Sequence, residues 1–270
     1  MAAFSAEGFE PRYIEKGDEG DSCSVDEAIL IAGGDGTVKR ALDLFGRTDR
    51  RFAILPLGGA NNIATALGLP VSIPAIARML REGQVRPFRM GLLRWPEREE
   101  SFAEAVGAGA LAQSMFEAKA RKERLAGEDF DKIAVGRESV GDILAGAPPM
   151  ETAVAIDGSP LPHDILFAEA LNVGVTGPSL RLAESVPPDA QITVAFLRES
   201  SREEFRDALA RGGPLPVELR TGAEVTFKWK GHALRVDDVL LAPPESPVSL
   251  HICRSQQPSA MMVTPQDETP

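Results

Sequence analysis

Cysteine, aromatic side chains and long apolar runs are all scarce in these 270 residues. The two cysteines, Cys23 and Cys253, lie far apart with no metal-ligand spacing around either. That excludes a disulfide framework and a cysteine zinc site, and makes a reducing cytoplasm the expected setting. Aromatics are 6% of the chain with a single tyrosine, so aliphatic side chains must fill the core. No apolar stretch reaches the roughly 18 residues that a membrane-crossing helix needs, and Met1 to Glu7 lacks a basic segment followed by an apolar run. Any membrane contact is therefore expected to be peripheral. Basic charge is also in deficit: 29 Lys and Arg against 40 Asp and Glu give a net charge of −11, which disfavours nucleic acid as a partner. The histidines at 163, 232 and 251 show no paired ligand spacing, and no Gly-x-Ser-x-Gly elbow offers a hydrolase nucleophile.

What is present divides the chain. A length of 270 residues favours two domains. Residues 28–32, Ala-Ile-Leu-Ile-Ala, read as a buried strand stopped by glycines. Val38, Ala41, Leu42 and Phe45 then recur at helical spacing. The pattern repeats with the strand Phe52 to Leu55, a Pro-Leu-Gly-Gly turn, and a helix from Asn61 to Leu67. A further helix is expected over 74–82. Strands alternating with helices predict a parallel α/β sheet in roughly the first 90 residues.

Beyond Pro96 short strand-like runs dominate, at 102–106, 152–156, 165–173, 191–197, 224–229 and 248–252. Residues 111–125 and 198–212 read as helices, the first ending in Lys119, Arg121, Lys122 and Arg124. An apolar side could lay that helix on a membrane, although packing on the chain's own core explains it more simply. The arginines at 78, 81, 86, 89, 94 and 98 form a basic belt that solvated surfaces also explain. The expected boundaries are 1–93 for an α/β domain, 94–254 for a β-rich domain and 255–270 for a loose tail.

The chemistry concentrates in Gly33-Gly34-Asp35-Gly36-Thr37, placed where a strand hands over to a helix. Glycines let backbone amides approach an anion, and the helix adds its positive N-terminal end. Asp35 can hold a metal-bound water, orient a nucleophile or accept a proton, and Thr37 offers a hydroxyl and a helix cap. An isolated glycine turn would read equally well as a tight turn. The second turn, Leu57-Gly58-Gly59-Ala60-Asn61, comes about 20 residues later and implies two adjacent strand ends facing one crevice, as in nucleotide clefts.

This pair resembles the Gly-Gly-Asp-Gly-Thr and Pro-Leu-Gly-Thr-x-Asn-Asp signatures of the diacylglycerol kinase, sphingosine kinase and bacterial lipid kinase family. The likeness continues through Phe102 to Gly109, Val154 to Gly158, and Asn172-Val173-Gly174 to Asp189. The resemblance implies an N-terminal NAD-kinase-like parallel α/β domain and a C-terminal, β-sandwich-like domain. It also implies ATP and Mg2+ as cofactors and transfer of the γ-phosphate to a lipid hydroxyl at the membrane surface. Gly33, Gly34, Gly36, Thr37, Gly58, Gly59 and Asn61 are then the expected nucleotide contacts, with Asp35 catalytic.

Several positions depart from that pattern. Gly59 replaces the family's Thr and Asn62 its Asp, while Asn61 is kept. The family's late Asp-Gly-Glu carries a proton acceptor, whereas Asp237-Asp238-Val239 puts valine at the matching position. Asp237 or Asp238 is then the expected substitute base. Of an acidic metal-binding turn only Asp189 remains. No Asn-Pro-x-Ser-Gly strand precedes Ala28, so the α/β domain is expected to be incomplete by one strand and one helix. The alternative expectation is a catalytically impaired relative that binds nucleotide or lipid without phosphorylating it.

Overall fold

The computed structural model describes residues 2–13, 27–46, 50–125, 129–187 and 190–264. They form two units, Met1–Arg89 with Gln256–Pro270, and Met90–Ser255.

In the first unit a short helix α1 (Ala2–Ala6) comes before β1 (Ala28–Gly33), α2 (Asp35–Phe45), β2 (Arg51–Pro56), α3 (Asn62–Ala66), α4 (Ile73–Glu82) and β3 (Gln84–Phe88). The expected order of strands and helices is therefore present. α2 buries Val38, Leu42 and Phe45, one stripe at helical spacing, and α4 starts with Pro74 in its first turn and buries Ile76, Ala77 and Met79. β1 and β2 pair in parallel from Ala28 opposite Arg51 to Gly33 opposite Pro56. Because the register puts those last two residues side by side, both glycine turns leave the sheet at the same end.

The second unit runs through β4 (Gly91–Arg94), β5 (Glu99–Phe102), β6 (Ala105–Gly109), α5 (Ala110–Arg124), α6 (Lys132–Gly146), β7 (Ala153–Ile156), β8 (Ser159–Pro160), β9 (Ile165–Leu171), β10 (Val175–Thr176), β11 (Leu180–Arg181), β12 (Ile192–Arg198), α7 (Arg202–Arg211), β13 (Glu218–Gly222), β14 (Val225–Trp229), β15 (Leu234–Val236), β16 (Val239–Leu240) and β17 (Val248–Arg254). Two six-stranded antiparallel sheets result, ordered β13-β12-β9-β6-β15-β16 and β5-β4-β17-β14-β7-β8. The expected run 102–106 splits here into β5 and β6, with Ala103 and Glu104 between them.

A core that includes Val106, Ala168, Phe196 and Leu234 of one sheet and Leu93, Val154, Phe227 and Ile252 of the other closes a β-sandwich. Each fully buried phenylalanine contributes roughly 1.5–3 kcal/mol. The outer face of the first sheet carries a second core with α5, α6 and α7, including Leu111, Val140, Leu144, Phe167, Leu197 and Phe205. This two-sided burial explains why every residue of β9, Ile-Leu-Phe-Ala-Glu-Ala-Leu, is buried. α5 also settles its own orientation, since Leu111, Ser114 and Ala118 are buried while Arg121 pairs with Glu117 and with Asp142 of α6.

The chain then returns to the first unit. β18 (Ser259–Val263) falls within the stretch expected to be a loose tail, and that expectation is corrected: it lies between β2 and β3 in a sheet ordered β1-β2-β18-β3. Met261 and Met262 are buried there, so hydrophobic burial and sheet pairing outweigh the polar, proline-containing flanks. β18 is parallel to β2 and antiparallel to β3, which makes the sheet mixed.

Candidate functional site

The two glycine turns are built against each other. Gly33 closes β1, and a Cβ there would lie 2.5 Å from the Thr37 hydroxyl oxygen. Gly34 is the N-cap of α2, its carbonyl accepting the N–H groups of Thr37 (2.9 Å) and Val38 (3.1 Å). Thr37 was expected to cap this helix; it lies instead inside the first turn, exposed, and no side chain caps α2. The N–H groups of that first turn, at Asp35 and Gly36, have no acceptor within the helix. Space beside Gly36 is open, with no atom within 4 Å of a Cβ built there.

Across the strand pair, the Leu57 N–H donates to the Gly33 carbonyl at 3.0 Å. Asn61 stands in the left-handed region at φ 50° and closes its own loop twice: its Oδ1 accepts from the Gly58 N–H and its Nδ2 donates to the Gly58 carbonyl, each at 2.8 Å. Asparagine tolerates this backbone because its short amide bonds locally. A Cβ on Gly58 would sit 2.5 Å from the Gly34 Cα, so the loops touch backbone to backbone. Gly59 faces open space.

Asp35 joins the two motifs. Its Oδ2 accepts from the Asn62 N–H and its Oδ1 from the Ile63 N–H, both at 2.9 Å, so a residue at the start of α2 caps the start of α3. A carboxylate has about four lone-pair positions, which leaves acceptor capacity for a further donor. The constellation thus offers exposed backbone amides at a helix N-terminus, an open floor and one carboxylate. Backbone amides at a helix N-terminus are a type of surface that can accept an anion of phosphate size. Among the described residues no three His, Cys, Asp or Glu side chains converge to hold a metal ion. The donor set fits a divalent cation carried on phosphates with Asp35 at its edge, and does not fit a cage of protein ligands. Asp189 lies outside the described residues.

The second unit contains the other expected residues. Asp237 and Asp238 form the two-residue turn between β15 and β16, where Val236 pairs with Val239. Asp237, at φ 51°, is buried, and its carboxylate accepts from the N–H groups of Ala103 (3.0 Å), Glu104 (2.7 Å) and Ala105 (3.2 Å). Burial pushes its pKa above the usual aspartate range, and the three N–H donors oppose the rise. Asp237, one of the two acids expected as a base, thus stands with its oxygens bonded to the 103–105 backbone. Asp238 is exposed.

Beside this turn lies a charge pair that the sequence pattern did not single out. Arg235 reaches Glu169 at 2.7 Å, with side chains 3% and 0% exposed, and also donates to Thr176 Oγ1 and the Asp237 carbonyl. Burial pushes the Glu169 pKa upward against the pull of Arg235. Gly107 makes the room, since a Cβ there would meet the Glu169 oxygens at 2.1 Å. The available signal was a lone charge in each of two apolar strands, Glu169 in β9 and Arg235 in β15. The arginine belt is largely spent: Arg81 binds the Glu7 side chain and carbonyl, Arg89 the Gln256 carbonyl, Arg94 pairs with Glu99 and Arg98 with Glu100. Among the described residues no helix is long and apolar enough to cross a membrane.

Comparison with known proteins agrees with the resemblance. Residues 13–93 match the family described as the diacylglycerol kinase catalytic domain. Diacylglycerol kinase of Bacillus subtilis (strain 168) is 25% identical over 183 residues, 66% of this chain and 57% of that protein. A Pseudomonas aeruginosa (strain UCBPP-PA14) protein named "Probable lipid kinase YegS-like" is 43% identical over 67 residues, 24% of this chain and 22% of that protein. The chain thus spans little more than half the length of the first relative and under a quarter of the second. The crystal structure of a diacylglycerol kinase from Bacillus anthracis (strain Sterne) shares the fold, with a TM-score of 0.61 at 15% identity over 88% of this chain and 78% of that one.

Proposed function

We propose that this chain, similar over residues 13–93 to the diacylglycerol kinase catalytic domain, transfers the γ-phosphate of ATP to the hydroxyl of a diacylglycerol-like lipid. One observation carries this reading: the Gly34–Gly58 contact and the Asp35 carboxylate fuse the two glycine turns into a single amide-rich surface at the end of a parallel strand pair. Phosphoryl transfer asks the protein mainly for positioning and for donors aimed at phosphate oxygens. The first-turn amides of α2 bind the phosphates, and the open sides of Gly36 and Gly59 let them approach closely. Asp35 keeps the second loop in register and lends its remaining acceptor capacity to water around the phosphates. A Mg2+ ion brought with the nucleotide would supply the positive charge that offsets the phosphates, with Asp35 as the nearby carboxylate. The lipid acceptor is taken up at a membrane surface. Asp238, the exposed acid of the β15–β16 turn, is the proton acceptor in this reading.

A second reading keeps nucleotide binding without transfer. Val239 favours it, because an aliphatic side chain 52% exposed at the end of that turn takes up no proton. The two are separated by offering Mg-ATP labelled at the γ-phosphate to vesicles containing diacylglycerol, with wild type, Asp35→Asn and Asp238→Asn compared and ATP binding measured alongside. Labelled lipid that disappears in both variants supports the kinase. ATP binding without labelled lipid in the wild type supports the second reading, and neither binding nor product overturns both.

A further inference from the structure

A groove of about 570 Å³ lies wholly within the second unit, walled by the β10–β11 hairpin with the loop that follows it, by α6, and by the end of α7 with the connector to β13. That volume is within the roughly 300–1,000 Å³ typical of small-molecule sites. The lining is apolar at Leu182, Leu209, Leu215 and Leu219, and Leu219 is 47% exposed although it stands in a strand. Two arginines, Arg137 and Arg181, complete it, with Glu184 as the one carboxylate.

Arg137 donates to the carbonyls of Pro178 (3.2 Å) and Ser179 (2.9 Å), which fix the guanidinium without neutralising it. Neither arginine has an ion-pair partner among the described residues. In a chain of net charge −11, this groove carries the opposite sign. Its walls are also set in advance. A Cβ on Gly136 would meet the Pro178 ring at 2.6 Å, so α6 and the 177–179 turn are in direct contact. α7 stops at Gly212, φ 72°, with the Gly213 N–H returned to the Ala208 carbonyl at 3.0 Å.

We infer that this groove binds a single-chain anionic amphiphile, its hydrocarbon on the leucines and its carboxylate or phosphate at Arg137 and Arg181. Leucines alone would take any apolar chain; the two guanidiniums select the sign of the head, since their planar N–H forks match carboxylate and phosphate oxygens. The assignment is independent of the kinase reading, because no residue of either glycine turn lines the groove.

The test uses the full chain and calorimetric titration with laurate, lauryl phosphate, inorganic phosphate and lauryl trimethylammonium, all below micelle-forming concentrations. Saturable binding of the two anionic amphiphiles is expected, with none of the cationic one and none of inorganic phosphate. Whichever anion binds more tightly identifies the source as free fatty acid or as lipid phosphate. Arg181 is exposed, so Arg181→Glu is expected to fold; it should weaken anion binding by roughly tenfold or more and admit the ammonium amphiphile. Leu215→Asp should weaken both. Equal affinity for cation and anion in the wild type, unaltered binding in both variants, or no saturable binding would each overturn the assignment.

Discussion

Gly58 stands so close to Gly34 that a Cβ on it would lie 2.5 Å from the Gly34 Cα, an approach that backbone cannot yield to cheaply. Gly58→Ala is therefore expected to destabilise the first unit by about 1–3 kcal/mol through overpacking and to reduce nucleotide binding. Gly36→Ala is the control for stability alone, because nothing lies within 4 Å of its Cβ position and alanine favours the helix, while its added methyl narrows the side open to phosphate. Denaturant unfolding of both variants checks the contrast, with ATP binding measured in Gly58→Ala. Equal losses of stability would show that the Gly34–Gly58 contact is not what holds the loops.

The buried Glu169–Arg235 pair invites a different experiment. Removing one partner by Glu169→Leu leaves a guanidinium uncompensated in the interior and should cost about 3–5 kcal/mol. The double change Glu169→Leu with Arg235→Met should recover most of that loss. Urea denaturation of the three proteins measures the coupling directly, and additive losses would mean that the charges do not depend on one another.

Asp237 predicts a pH dependence with a definite sign. Because burial raises its folded pKa, the folded state keeps the proton to higher pH than the unfolded chain does. Its contribution to stability is complete below the unfolded value of about 3.9 and is lost as pH rises through the raised folded value. Repulsion within an acidic chain acts in the same direction, so the measurement is a difference: the unfolding free energy of wild type minus that of Asp237→Asn. This difference should fall as pH rises from about 4 toward neutrality. A difference that grows with pH would mean that the three N–H donors outweigh burial.

Val239 bears on the kinase reading. Since the position is 52% exposed, Val239→Glu should change stability by no more than about 0.5 kcal/mol. If catalysis is limited by the missing acid, turnover with diacylglycerol vesicles should rise by about 10²-fold, the low end for general-base catalysis. Unchanged turnover with ATP binding intact would assign proton transfer to Asp238.

The legible parts of this fold are those where a local pattern and the tertiary structure agree. An apolar run, a glycine stop and a helical stripe sufficed for β1-α2 and β2-α3, and the short strands of the sandwich were recognisable from alternating turns. α6 was not expected, since Gly136, Gly141 and Gly146 argue against a helix, and its stability comes from packing on α5 and α7. The glycine turns were visible as a pair, yet the bond between them was not. Asp35 caps a helix 27 residues away in sequence, and no local capping rule describes a cap supplied across a sheet. Asp237 and Asp238 look alike in the sequence; which one turns inward is decided by the backbone amides of the β5–β6 loop.

The place of β18 between β2 and β3 has a consequence for how the protein is made. During synthesis residues 1–89 leave the ribosome with a gap where Ser259–Val263 will later lie, and the intervening unit must be produced before that gap can be filled. The glycine-loop unit, although mostly N-terminal, is therefore completed last. A fragment cut at Arg89 would leave the facing edges of β2 and β3 open, with backbone donors and acceptors ready to pair with other chains.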